Sequence, residues 1–127
     1  MLNAIHTITI VNHYTEKGED KYNCHIVYGA SWYWQRKVVV DKGLKFANLL
    51  KCRIPKENMA GYLNEKEFLV NAENWTLRTG DKVVLAALET VTGEQFARLT
   101  KTYEGATVLA VHEKFFGINP HLYIEGE

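Results

Sequence analysis

Five histidines, two cysteines and a lone serine are the side chains of this chain best suited to chemistry, and their spacing restricts what they do. His6, His13, His25, His112 and His121 include no pair four residues apart and no cysteine at ligand spacing, so the pattern of a zinc site is missing. Cys24 and His25 are adjacent, which on a strand sends them to opposite faces and argues against shared ligation. Neither Cys24 nor Cys52 sits at an expected helix N-terminus or within a glycine elbow, so neither is marked as an activated nucleophile. Ser31 lies in Gly-Ala-Ser-Trp, which is not the Gly-x-Ser-x-Gly turn of α/β hydrolases. The acid pairs Glu65/Glu67 and Glu19/Asp20 fall in polar stretches, where carboxylates are ordinarily solvated, and no glycine-rich phosphate loop is present. The expectation is a protein that is not an enzyme, with no cofactor and no metal.

The aromatic residues offer a different chemistry. Tyr28, Trp32, Tyr33 and Trp34 cluster just before Arg36 and Lys37. Bases stack on such aromatics above a basic groove in single-stranded nucleic-acid platforms. The same residues dominate protein interfaces, and alternate aromatics also fill small β cores. Between Gln35 and Lys56 the basic residues Arg36, Lys37, Lys42, Lys45, Lys51, Arg53 and Lys56 face a single acid, Asp41. That local excess is either a solvated face or a patch for phosphate or an acidic partner.

The rest of the chain must position these groups. At 127 residues it fits one domain, since two separate cores would be too small. Its 15 basic and 15 acidic residues cancel, so no global field draws it to nucleic acid or membrane. The two cysteines are too few for a disulfide framework and suit a reducing compartment as small buried hydrophobes. The N-terminus lacks the pattern of a secretory signal, no apolar run is long enough to span a bilayer, and a cytoplasmic origin is expected.

The segment Asn74 to Leu85 organises the chain: Trp75 and Leu77 pack ahead of a Gly80-Asp81 turn that feeds an apolar strand. Ala4 to Tyr14 alternates as a strand, with His6, Ile8 and Ile10 on one face and Ile5, Thr7, Thr9 and Val11 on the other. Thr15 to Lys21 reads as a hairpin loop. Tyr22 to Lys37 returns as a long strand in which Gly29 marks a bulge or bend. Val38 to Val40 continues or restarts it, Asp41 to Gly43 turns, and Leu49 to Ile54 stops at Pro55. Asn64 to Val70 fits either a short helix capped by Asn64 or a strand within a long loop. Lys82 to Thr90 is apolar almost throughout, as a strand buried on both faces would be. Phe96, Leu99 and Tyr103 have helical spacing, which predicts a short helix from Gly93 to Tyr103 lying on the sheet. Ala106 to Phe116 and His121 to Glu125 are the closing strands. The predicted fold is mainly β, a single domain over residues 1–127: a small barrel or coiled antiparallel sheet of about six strands with one short helix, plus an excursion over 41–74 that holds a long loop.

The order of short motifs carries a resemblance. Gly29-Ala30-Ser31-Trp32, Cys52-Arg53-Ile54-Pro55, Asn74-Trp75-Thr76-Leu77 through Gly80-Asp81-Lys82-Val83-Val84, and Pro120-His121 with Ile124-Glu125-Gly126 are spread over most of the chain. Together they resemble the head-completion proteins of tailed bacteriophages of Gram-positive hosts, the head-closure or stopper proteins of the neck. The resemblance implies a β-barrel protomer of the virion, assembled in the host cytoplasm into a six- or twelve-fold homo-oligomeric ring. Such a ring sits between portal or adaptor proteins and the tail terminator or tail tube, holds packaged DNA in its channel, and touches no membrane. No catalytic residue is implied. Trp32, Trp34, Arg36, Lys37, Lys42, Lys45, Lys51 and Arg53 are the candidates for an interface or a channel-facing surface. The stretch from Tyr62 to Val70 is longer than the family pattern. The alternatives are a tail terminator or adaptor ring of the same connector, and a free single-stranded nucleic-acid-binding barrel.

Overall fold

The computed structural model describes residues 4–40, 44–64 and 75–127, with backbone alone over 37–40 and 44–47. Six strands, β1 (His6–Glu16), β2 (Glu19–Val40), β3 (Leu44–Pro55), β4 (Lys82–Val84), β5 (Gly105–Lys114) and β6 (His121–Gly126), close into a barrel. The order around the wall is β1-β2-β3-β6-β5-β4, and every pair is antiparallel. The mainly β expectation therefore holds, with closure where an open coiled sheet was the other possibility.

Two strands turn the corners. The first half of β2 pairs with β1 and its second half with β3. The register breaks where His6 pairs with Ala30 and Thr7 with Tyr28, leaving Gly29 as the extra residue. Gly29 has φ 103°, and a side chain there would press on the Asn58 amide, which donates to the Gly29 carbonyl at 2.9 Å. A bulge of this kind bends a strand and sharpens its twist, which lets one strand serve two sheet directions. β5 does the same, pairing first with β4 and then with β6, with Leu109 as its extra residue.

Strand alternation fills the interior. Ile8, Ile10, Val27, Leu50, Cys52, Ile54, Val83, Val108, Leu122 and Ile124 are all buried in one core with Trp75 and Leu77. Trp75 is pinned from several sides: its indole donates to the Ala60 carbonyl at 2.8 Å, and its ring stacks on His25 and meets Tyr62 edge-on. The other face of the alternation forms a second cluster outside the wall. Val11, Val84 and Leu99 are buried there, with Tyr22, Cys24, Leu88 and Phe96 packed around them. Cys24 and His25 thus point to opposite sides, as adjacent strand residues should, and both cysteines are free thiols.

Three local expectations need correction. The β1–β2 connection is a two-residue turn: Lys17 (φ 53°) and Gly18 (φ 79°) are both left-handed, the geometry that matches strand twist in a tight hairpin. The apolar run from Lys82 to Thr90 is a strand only as far as Val84. Beyond it the chain leaves the ladder and lies over β1, where Thr9 Oγ1 donates to the Ala86 carbonyl at 2.6 Å and accepts from the Leu88 amide at 2.9 Å. The helix is broken in two, α1 (Gly93–Ala97) and α2 (Leu99–Thr102), at Arg98 with φ −108° and ψ 6°. Thr92 opens α1 with a reciprocal capping box to Gln95. A 3-10 turn (Lys56–Asn58) follows β3. The Asp41–Gly43 turn and the Glu65–Val70 part of the helix-or-strand segment lie outside the described residues.

Candidate interaction surface

The β2–β3 pair outruns the barrel. Its ladder runs from Ser31↔Arg53 to Val40↔Leu44, whereas β6 covers β3 only from Leu50 to Pro55. Residues Gln35–Val40 and Leu44–Leu49 therefore form a two-stranded arm reaching roughly 20 Å past the wall at ~3.3 Å per residue. Among the described strands nothing pairs with either outer edge of this arm.

The ladder sorts the candidate residues. Trp32 lies opposite Cys52 and Trp34 opposite Leu50, so both indoles turn toward the core side, where they pack half-buried against it. Their ring nitrogens converge on one carboxylate: Trp32 Nε1 donates to Glu104 Oε2 at 2.6 Å, and Trp34 Nε1 reaches the same oxygen at 3.4 Å. The two rings meet edge to face at 6.4 Å. Arg36, opposite Asn48, follows the same alternation. Ser31 and Tyr33 take the other face, opposite Arg53 and Lys51. Lys37 pairs with Ala47 and Lys45 with Val39 along the arm, and Lys42 lies outside the described residues. The seven described candidates are thus divided between two faces and the arm.

The outer face shared by β2, β3, β6 and β5 carries an arrangement the sequence reading missed. Arg53 places its guanidinium 4.7 Å from the centre of the Tyr123 ring, and Lys114 Nζ lies 4.9 Å from it. His112, the ladder partner of Tyr123, stacks on the same ring at 5.8 Å. Burial, followed by the neighbouring Glu125, pushes the Tyr123 phenol above its ordinary range. Tyr33 stands exposed next to Lys51 on this face. The result is a braced cationic and aromatic surface, suited to polar partners. Only the β6 register brings Tyr123 between Arg53 and His112, and their sequence separation gives no hint of it.

A groove of about 760 Å³ runs beside Asp81, lined by His13, Tyr14, Arg78 and Thr79. Asp81 is deeply buried, and its carboxylate accepts from Asn12 Nδ2 at 2.9 Å, the His13 amide at 3.0 Å and the Arg78 amide at 3.0 Å. Burial lifts its pKa, with those donors opposing the shift. A carboxylate so fully engaged braces the Trp75–Gly80 loop against β1. Among the described residues no group of three or more His, Cys, Asp or Glu converges as a metal site.

Fold and surface together define a closed six-stranded antiparallel barrel that carries a projecting two-stranded arm. The chain belongs to the family of unknown function DUF6751, which it matches over residues 3–127. No curated protein and no solved structure matches it.

Proposed function

We propose that this chain is a structural virion protein of a tailed-phage head–tail connector, a subunit of a ring that closes the head after DNA packaging and docks the tail. The observation that carries the reading is the β2–β3 arm. A two-stranded ribbon is marginal on its own in water, and an unpaired strand edge is a template for another chain. An arm with no strand paired to either outer edge among the described residues, projecting from a barrel braced by its own core, favours completion by a neighbour. Copies meeting head to tail through unlike surfaces close into rings when the rotation allows. The basic residues along and beside the arm, Arg36, Lys37, Lys51 and Arg53, suit a surface that faces DNA or acidic neighbours. A tail-terminator or adaptor ring would use the same arm and differs only in its place along the connector axis.

The test is native mass measurement of the purified protein, alone and with its portal-side neighbour, beside a variant in which residues 36–47 are replaced by a two-residue turn. Assembly of the intact chain into a closed ring, and its loss in a variant with an unchanged β spectrum, is the expected outcome. A chain that stays monomeric in both settings, or an arm-less variant that assembles equally well, overturns the proposal. Binding of a lone monomer to single-stranded DNA with steep salt dependence would move the assignment to the nucleic-acid reading.

A further inference from the structure

The turn between β5 and β6 exposes two large apolar side chains. Phe116 and Ile118 are each 97% exposed, on either side of Gly117, whose φ is 99°. Their neighbour Phe115 has the opposite fate: it packs on the core, edge-on to Tyr62, with Lys56 Nζ 5.4 Å from its ring centre. The tip is built to hold its shape. His121 Nδ1 donates to the Asn119 carbonyl at 2.7 Å, and the Lys56 amide donates to the Pro120 carbonyl at 3.0 Å. A braced turn presenting two apolar side chains to water has already lost the conformational freedom that binding would otherwise remove.

The same chain carries a receptor of matching character. Leu88, Val91, Leu99 and Tyr103 line a cavity of about 270 Å³ beside α1 and α2, and the exposed Thr90, Glu94 and Arg98 share its lining. Charges match as well. Residues 114–121 contain Lys114 and His121 and no acid, while residues 88–94 contain Glu89 and Glu94 and no base. Arg98, the one base among the cavity's lining residues, is drawn toward Glu94 at 3.8 Å. Tip and cavity lie beyond opposite ends of the ten-residue β5, about 30 Å apart at ~3.3 Å per residue. They do not meet within one molecule.

We infer that the Phe116–Ile118 tip of one copy seats in the Leu88–Val91–Leu99–Tyr103 cavity of the next, a head-to-tail contact between copies of this chain. The contact deepens the ring proposed above and rests on it. Because tip and cavity are different surfaces, each copy offers one and fills another, which is the contact type that propagates around a ring.

Cross-linking reads the contact directly. Ile118→Cys is placed on one batch of full-length chain and Thr90→Cys on a second, tagged batch, both with Cys24→Ala, leaving only the enclosed Cys52 thiol. With a short bis-maleimide, the mixture is expected to yield the mixed tagged–untagged dimer, and Ile118→Cys alone to yield no dimer. Phe116→Ser with Ile118→Ser, changes at fully exposed sites, is expected to raise the concentration for half-assembly at least tenfold with an unchanged far-ultraviolet spectrum. Tip-to-tip dimers of Ile118→Cys, an absent mixed product, or serine variants that assemble normally would overturn the inference. If the arm-less variant abolishes the ring while the mixed product persists, the tip contact stands and the arm is confirmed as a separate joint. Ring assembly without the mixed product sinks the tip contact alone.

Discussion

Asn12 and Asp81, 69 residues apart, share a buried hydrogen bond of 2.9 Å that locks β1 to the turn entering β4. Asn12 also donates to the Thr76 carbonyl at 2.5 Å and accepts from the Thr76 amide at 3.2 Å, so one side chain satisfies the loop and the carboxylate together. An asparagine at position 81 would turn an amide group toward at least one of the donors that now meet a carboxylate oxygen. Asp81→Asn is expected to cost ~1–3 kcal/mol in urea unfolding, the usual penalty for an unmatched buried polar group.

Asp81 also gives a pH signature. Burial raises its folded pKa above the ordinary 3.8. The folded state then binds more protons than the unfolded state between the two values, so Asp81's contribution is most favourable below about 3.8 and is lost as pH rises through the lifted value. Stability profiles of the wild type and Asp81→Asn are expected to draw together as pH rises across that window, the wild type's advantage being largest at the acid end. A constant offset between them would show that the carboxyl titrates normally in the fold.

His25 runs the other way. It stacks on Trp75 with ring centres 4.7 Å apart, and burial lowers its pKa from the ordinary 6.5. Its neutral-form contribution is complete above about 6.5 and declines as pH falls through that value toward the lowered one. His25→Phe is expected to flatten the acid limb of the stability profile near that pH. Trp75 fluorescence is the convenient probe, since the imidazole lies against the indole.

The thiols should differ sharply. Cys52 is wholly enclosed in the barrel, and burial pushes its pKa up to about 12. Cys24 is half-buried outside the wall, with its pKa raised by burial as well. An aromatic disulfide reagent at neutral pH is expected to titrate Cys24 slowly and Cys52 only after denaturation, because the thiolate is the reactive form. Equal reaction of both thiols in the native protein would mean that the barrel interior opens readily.

Gly105 begins β5 pressed against the end of β4. A Cβ there would lie 2.4 Å from the Val83 carbonyl oxygen and 2.7 Å from Val84 Cγ1. Gly105→Ala is expected to destabilise the fold by about 1–3 kcal/mol or more, as overpacking against backbone does. Thermal unfolding measures it, and an unaltered midpoint would mean that β4 and β5 separate at little cost.

Much of the fold was legible because alternation and turn chemistry are local. The faces of β1, the buried Trp75 and Leu77, and the Gly80-Asp81 turn all follow from spacing alone. The surface was harder, for a reason visible at Gly29. Tyr28 and Trp32 are four residues apart and would share a face on a regular strand. The bulge between them resets the alternation, leaving Tyr28 70% exposed while Trp32 packs on the core and bonds Glu104. The apolar run after Val84 misled for a related reason: Ala86 and Leu88 are covered, but by lying over the outside of β1 and not by joining the ladder. The Arg53–Tyr123–His112 stack depends on long-range register, which no window of sequence contains.

β4 is three residues long and is the only described strand between β1 and β5, whereas β1 and β2 run together along the full length of a hairpin. The wall is a continuous ribbon buckled shut by a narrow clasp. Slipping that clasp would part the cylinder along one seam and leave every other ladder whole. The Asn12–Asp81 bond, one residue beyond each side of it, is the pin through the buckle.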